Sequence, residues 1–90
     1  MTAADDNLQM LEKLRVRFRA RCRDDLAILE QGPGTEQFAY CVHRLAGSAG
    51  TFGFDDISRN ASQIDDQFRQ HHTVEQKQLD QLISLVRSIL

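Results

Sequence analysis

The stretch HRLAGSAGTFG, residues 43–53, decides how this chain of 90 residues folds. At about 100° per residue, the apolar side chains in and before it fall on one side of a helix. They are Phe38, Cys41, Val42, Leu45, Ala49 and Phe52. A stripe of this kind faces the core of a soluble protein, and His43 falls on the opposite side. The spacing therefore predicts a helix that buries one face and directs His43 towards water.

The face that carries His43 is unusually free of bulky side chains. Its small residues are Ala39, Ala46, Gly47 and Gly50. Glycine within a helix costs roughly 1 kcal/mol relative to alanine, so two glycines on one face indicate close approach by another backbone or domain. A helix that ends near Gly47 is the alternative. Ala49 and Phe52 stay in phase with the apolar stripe, which favours a helix that continues to about Phe52 or Gly53.

Four positions in this stretch resemble the signature of the histidine-containing phosphotransfer (HPt) domain family. That signature is His-x-Leu-Lys-Gly, followed by small residues and a second glycine, and the matching residues are His43, Leu45, Gly47 and Gly53. The resemblance implies that His43 is the residue that becomes phosphorylated. It also implies that the small residues on the same face leave room for a docking partner.

Two positions differ from the family pattern. Ala46 stands where the family commonly has a lysine that neutralises the phosphoryl group, and Arg44 is the nearest cation in the sequence. Arg44 is therefore our candidate for contact with the phosphoryl group or with the partner. By motif spacing, Asp65 stands near the histidine where the family often has glutamine, and Gln63 and Gln67 are the nearest amides. Both differences predict weaker stabilisation of a phosphorylated His43.

The resemblance implies a phosphoryl carrier with no kinase activity of its own. The sequence has no glycine-rich phosphate loop after a strand, so we expect no nucleotide site and no cofactor. A neutral imidazole is nucleophilic at physiological pH, which suits attack on an activated phosphoryl group. The implied partners are a hybrid sensor histidine kinase and response-regulator receiver domains, whose aspartate exchanges the phosphoryl group and whose site holds Mg²⁺.

The composition is that of an ordinary soluble protein, and its length predicts one domain over residues 1–90. No apolar run approaches the roughly 20 residues that span a membrane. Met1 leads into acidic residues, Asp5 and Asp6, where a secretory signal would be basic and then apolar. We therefore expect a cytoplasmic protein. Cys22 and Cys41 fall at apolar positions and show no metal-binding spacing, so they are predicted to be buried thiols.

The segment from Lys13 to Arg23 alternates cations with apolar residues, a pattern typical of a strand. Through the same region, however, seven apolar residues hold helical spacing, and this favours a helix. They are Leu8, Leu11, Leu14, Phe18, Cys22, Leu26 and Leu29. On a helix the six cations spread around the circumference, and the net charge of −2 gives no general attraction to nucleic acid. Nucleic-acid binding is thus disfavoured, whereas docking an acidic receiver surface stays open.

Four amphipathic helices with short connections predict an all-α, antiparallel four-helix bundle. Helix one should run from about Asp6 to Gln31, where Gly32-Pro33-Gly34 breaks it. Thr35 is the predicted N-cap of helix two.

The two helices that follow are placed by their own signals. Asp55 or Asp56 is the predicted cap of helix three, which should end near His71 and His72. Thr73 with Gln76 fits a capping box for helix four.

One other interpretation of the chain remains open, and a second is disfavoured. A helical interaction module without phosphoryl chemistry would use the small-residue face to pack against another protein. A metal site at His71 and His72 is disfavoured, because adjacent residues on a helix do not face each other.

Overall fold

The computed structural model describes residues 3–90, with side chains described from residue 6 onwards. Within this range the chain is all-helical, as expected. Its α-helices are α1 (Ala3–Gln31), α2 (Glu36–Ser48), α3 (Asp55–His71) and α4 (Gln76–Ser88), and a short 3₁₀ segment (Gly50–Phe52) follows α2. Met1 lies outside the described residues, as does the side chain of Asp5, so the structure says nothing of the expectation on a secretory signal.

The basic segment is helical throughout and forms the middle of α1. This helix buries Phe18, Cys22 and Leu29, which confirms the helical spacing over the strand-like alternation. Further towards the N-terminus the apolar stripe of α1 is no longer covered by the other helices, and Leu8 is 64% exposed. A helix of this length extends about 43 Å at 1.5 Å per residue, which explains the elongated dimensions of 50 × 21 × 20 Å.

All four helices contribute to one hydrophobic core. Its buried members are Phe18, Cys22, Leu29, Phe38, Cys41, Val42, Leu45, Ala49, Ile57, Ala61, Ile64, Leu79, Leu82 and Val86. The predicted burial of both cysteines is confirmed. Burial, with a smaller contribution from the Asp25 carboxylate, raises the pKa of each thiol to about 12. Both therefore stay protonated and act as small apolar groups.

The expectation of a continuous α-helix to about Phe52 or Gly53 is wrong, and the alternative of a helix that ends near Gly47 is the closer one. The α-helix ends at Ser48, and the chain tightens into the 3₁₀ segment before Gly53 takes a left-handed conformation with φ of +88°. A Cβ atom on Gly53 would also lie 2.8 Å from Nη2 of Arg15. The Nε of Arg15 donates to the Phe52 carbonyl at 2.9 Å, so α1 holds this connection in place.

The predicted N-cap of α2 is confirmed, whereas the prediction that Asp55 or Asp56 caps α3 is wrong. Thr35 occupies the N-cap of α2, although its hydroxyl makes no capping hydrogen bond. Phe54 is the N-cap of α3, and Asp55 and Asp56 lie in the first turn, where carboxylates interact favourably with the helix dipole.

The capping box proposed for α4 is wrong. Glu75 is the N-cap of α4, which makes Gln76 the first helical residue instead of the third. His72 closes α3 in a left-handed conformation and donates its backbone N–H to the Phe68 carbonyl at 2.9 Å. Val74 then packs against the core, so the chain stays non-helical through residues 73–75. Over the described part of the chain, no helix is long and apolar enough to cross a membrane.

Candidate functional site

His43 lies in the middle of α2, on the side away from the core. Its side chain is 68% exposed, whereas its neighbour Val42 is buried. The orientation deduced from the apolar stripe is therefore confirmed. One edge of the imidazole remains open to solvent and to a partner protein.

Asp65 of α3 supports the other edge of the imidazole. Its Oδ2 lies 3.0 Å from Nδ1 of His43, and its side chain is only 9% exposed. The motif spacing had placed Asp65 near the histidine, and the distance confirms that placement. A carboxylate can only accept a hydrogen bond, so we assign the proton to Nδ1. In the neutral ring, Nε2 then carries the free lone pair and is the available nucleophile.

Arg69 reaches the same carboxylate oxygen from the next turn of α3. Its Nη2 donates to Oδ2 of Asp65 at 2.8 Å, and its side chain is 64% exposed. Asp66 lies at the edge of this group, with Oδ1 at 3.9 Å from the same Nη2. The imidazole of His43 and the exposed guanidinium of Arg69 thus meet at one oxygen atom of the nearly buried Asp65 carboxylate.

Packing between α2 and α3 fixes this arrangement. The hydroxyl of Ser58 donates to the Ala46 carbonyl at 2.7 Å, which ties the start of α3 to α2. Ser58 and Asp65 are seven residues apart, so they share one face of α3. The same contact that docks the helix therefore aligns Asp65 with His43.

Arg44 does not lie beside the imidazole. It is about 100° around the helix from His43, and its guanidinium forms an ion pair with Asp25 of α1. Burial raises the pKa of Asp25, and the charge of Arg44 opposes that increase. Arg44 also lies over the ring of Tyr40, with Cζ 5.5 Å from the centroid. In this structure Arg44 joins α1 to α2. Its contact with a phosphoryl group or with a partner stays a prediction.

The small residues around His43 divide into two kinds. At Gly47, a Cβ atom would meet nothing within 4 Å, so this position faces open space. At Gly50, a Cβ atom would lie 3.2 Å from Oγ of Ser58, so this glycine permits the close packing of α3. Ala39 and Ala46 are half-buried. Both glycines are exposed, and only at Gly50 would an added side chain contact α3. Approach of a partner over either glycine stays a prediction.

The model of the Hpt domain family matches residues 13–90 of the chain. The chain belongs to the Hpt domain family. This match confirms the resemblance seen in residues 43–53. Hpt domains carry phosphoryl groups in two-component relays and are not kinases. Comparisons with curated proteins and with solved structures found no match. The match begins at Lys13, so the first turns of α1 lie outside it.

The sequence analysis did not identify Arg69 as a neighbour of His43 and Asp65. The signal was present, because Asp65 and Arg69 are four residues apart and α3 was predicted to be helical, so the two side chains were bound to be neighbours. Two of the three histidines lie elsewhere: His71 ends α3, and the ring of His72 meets the edge of Phe68. Among the described residues, no group of three or more His, Cys, Asp or Glu side chains is arranged to hold a metal ion.

Proposed function

We propose that His43 accepts a phosphoryl group on Nε2 and exchanges it with the aspartate of a response-regulator receiver domain. The observation that carries the proposal is the 3.0 Å contact between Nδ1 of His43 and Oδ2 of Asp65, on an imidazole whose side chain is 68% exposed. With the proton assigned to Nδ1, the neutral ring has its free lone pair on Nε2. Family membership supplies the general role, and the exposed imidazole supplies the reactive atom.

The transfer needs no proton movement at the attacking atom. The lone pair of Nε2 attacks the phosphorus of the receiver's aspartyl phosphate, and the bond from phosphorus to the aspartate oxygen breaks. The electron pair of that bond returns to the receiver as a carboxylate. The Nδ1 proton stays in its hydrogen bond with Asp65, so the new phosphohistidine carries a protonated ring. Mg²⁺ belongs to the receiver in this proposal, and the Hpt domain supplies the nucleophile and its position.

The surface beside His43 suits approach by a folded partner. Gly47 leaves open space one helical turn away, and the half-buried Ala39 and Ala46 add no bulk on the flank towards α3. In-line transfer requires the two reacting groups to come within about 3.5 Å. Small residues around His43 therefore reduce the steric clashes that a receiver domain would meet as it approaches. The upstream partner in the proposal is a hybrid sensor histidine kinase.

The proposal includes an antiparallel order of the four helices. Residues 32–35, 49–54 and 72–75 are the short connections between successive α-helices. Helices joined by connections of this length pack beside each other in opposite directions. This order would hold α2 and α3 side by side along their length, as the contact between His43 and Asp65 requires.

The experiment is phosphoryl transfer from Mg²⁺-loaded receiver domains that carry a labelled aspartyl phosphate. We expect acid-labile, alkali-stable label on the wild-type chain and none on His43→Gln. His71→Gln is the matched control, since His71 is an exposed histidine at the end of α3, and it should retain full labelling. Label on His43→Gln would contradict the proposal. Binding to receivers without any label on the wild type would favour the interaction module instead.

A further inference from the structure

His43, Asp65 and Arg69 meet at a single atom, Oδ2 of Asp65. Nδ1 of His43 lies 3.0 Å from it and Nη2 of Arg69 lies 2.8 Å from it. We infer that Asp65 and Arg69, both on α3, control the phosphorylated state of His43. Asp65 keeps the phosphorylated imidazole reactive for transfer, and Arg69 turns towards the phosphoryl group and binds it. This inference rests on the proposed function and deepens it.

The role of Asp65 follows from where the proton lies after phosphorylation. With Nε2 bonded to phosphorus, the ring is cationic while Nδ1 keeps its proton, and a nearly buried carboxylate in direct contact stabilises that cation. When the phosphoryl group moves on, the bond between phosphorus and Nε2 breaks and its electron pair returns to Nε2. The leaving group is then a neutral imidazole, which departs far more readily than an imidazolate anion. Asp65 is therefore a positioning residue that keeps the bond reactive.

The role of Arg69 follows from the charge that Asp65 brings to the site. A phosphoryl group on Nε2 adds two negative charges near a carboxylate, and like charges repel at this range. The guanidinium of Arg69 is already on that carboxylate, and its five N–H donors can serve carboxylate and phosphoryl oxygens together. Its side chain is 64% exposed, so there is space at the surface for the guanidinium to turn towards a phosphoryl group on His43. Arg44 is engaged by Asp25 on another flank of α2, so the local countercharge comes from α3.

Substitutions at Asp65 and Arg69 separate these two roles. Asp65→Asn keeps an oxygen that can accept from Nδ1 but removes the charge, so phosphohistidine should live about fivefold longer and transfer about fivefold more slowly, as for the loss of one partly exposed charge contact. Arg69→Gln should lower the equilibrium level of phosphorylation by about the same factor. Arg69→Lys should restore most of that level, because it restores the charge.

A spectroscopic measurement distinguishes positioning from a structural role. The ¹⁵N shifts of the His43 ring report which nitrogen carries the proton. We expect wild type and Arg69→Gln to show the proton on Nδ1, and Asp65→Ala to show a mixture of both neutral forms. A variant that merely loosened the fold would change the shifts of the core residues as well.

Asp56 and Arg59 provide the matched controls. They form an exposed ion pair on the same helix at 3.3 Å, and neither contacts His43. Asp56→Asn and Arg59→Gln should leave the lifetime, the transfer rate and the level of phosphorylation unchanged. For the lifetime, the transfer rate and the level of phosphorylation, the double variant Asp65→Asn/Arg69→Gln should differ from wild type by less than the two single variants combined. The reason is that the two residues contact each other.

The closing experiment compares all these variants for label on His43, its lifetime and its transfer. If wild type takes up label on His43 but Asp65→Asn matches its lifetime and transfer rate, the role of Asp65 is overturned. An unchanged level of phosphorylation in Arg69→Gln overturns the role of Arg69. If wild type takes up no label, the proposed function itself fails, and the two failures are thus distinguished.

Discussion

Arg44, the residue directly after His43, forms an ion pair with Asp25 across the interface between α2 and α1. The Asp25 side chain is 2% exposed and that of Arg44 is 27% exposed. The second carboxylate oxygen of Asp25 and Nε of Arg44 are buried without a hydrogen-bond partner. Because this pair has little access to solvent, it fixes how α2, and with it His43, sits against α1.

Removal of Arg44 should therefore be costly to the fold. Arg44→Met leaves a buried carboxylate without its countercharge, and we expect a loss of about 3 kcal/mol in the free energy of unfolding. Asp25→Leu/Arg44→Met should lie within about 1 kcal/mol of wild type, because an apolar pair can replace a buried ion pair. Urea unfolding followed by circular dichroism measures both.

A matched control for this measurement is Arg59→Met. Arg59 pairs with Asp56 at an exposed position, so its loss should cost less than about 0.5 kcal/mol. Equal losses for Arg44→Met and Arg59→Met would show that the Asp25–Arg44 pair has no special place in the fold.

The pH dependence of stability should carry a contribution from Asp25. Burial raises its pKa in the folded state above the ordinary value of 3.8, so the folded state holds this proton more tightly than the unfolded chain does. Stability from this group is then present at low pH and is lost as the pH rises from the ordinary carboxyl range into the raised range.

This contribution is measured as the unfolding free energy against pH, for wild type and Asp25→Asn. The difference between them should change across that window, and Asp56→Asn should leave the profile unaltered. A wild-type profile that rises relative to Asp25→Asn in the same window would contradict the direction.

The sequence was informative where periodicity or spacing determines position. The apolar stripe of α2 placed His43 on the surface, and the spacing from the motif placed Asp65 beside it. The partners of Arg44 could not be read in the same way, because its contact with Asp25 depends on how two distant segments pack. For the same reason, the sequence did not show that a Cβ atom at the exposed Gly50 would contact Ser58 of α3.

Local end signals were less informative than the stripes. Thr73 and Gln76 have the spacing of a capping box, yet Val74 packs against the core and delays the start of α4. Burial of an apolar side chain contributes more free energy than a capping hydrogen bond of about 1 kcal/mol. Tertiary packing therefore overrode the local preference.

The thiols of Cys22 and Cys41 should be unreactive in the folded protein. Both are buried, and burial raises the pKa of each to about 12, so almost no thiolate is present at pH 8. We expect iodoacetamide to modify both cysteines at the rate of global unfolding, as followed by mass spectrometry. Urea should accelerate modification of the two residues together. Rapid modification of either cysteine in native buffer would show that its part of the core opens locally.

Gly47 offers the sharpest test of the surface beside His43. A Cβ atom there meets nothing within 4 Å, so Gly47→Ala should stabilise the domain by about 0.5–1 kcal/mol through the lower entropy of the unfolded chain. Gly47→Leu should keep the fold but slow transfer from a receiver by about tenfold or more, since a displacement of about 1 Å can cost a hundredfold.

Gly50→Leu should behave differently from Gly47→Leu. Its side chain would meet Ser58, whose hydroxyl ties α3 to α2, so we expect a loss of about 1–3 kcal/mol in stability from overpacking. Thermal unfolding beside the labelled transfer assay distinguishes the two glycines. Stable, fully active Gly47→Leu would show that partners do not approach over this turn of α2, and docking would then have to use the flank that carries Asp65 and Arg69.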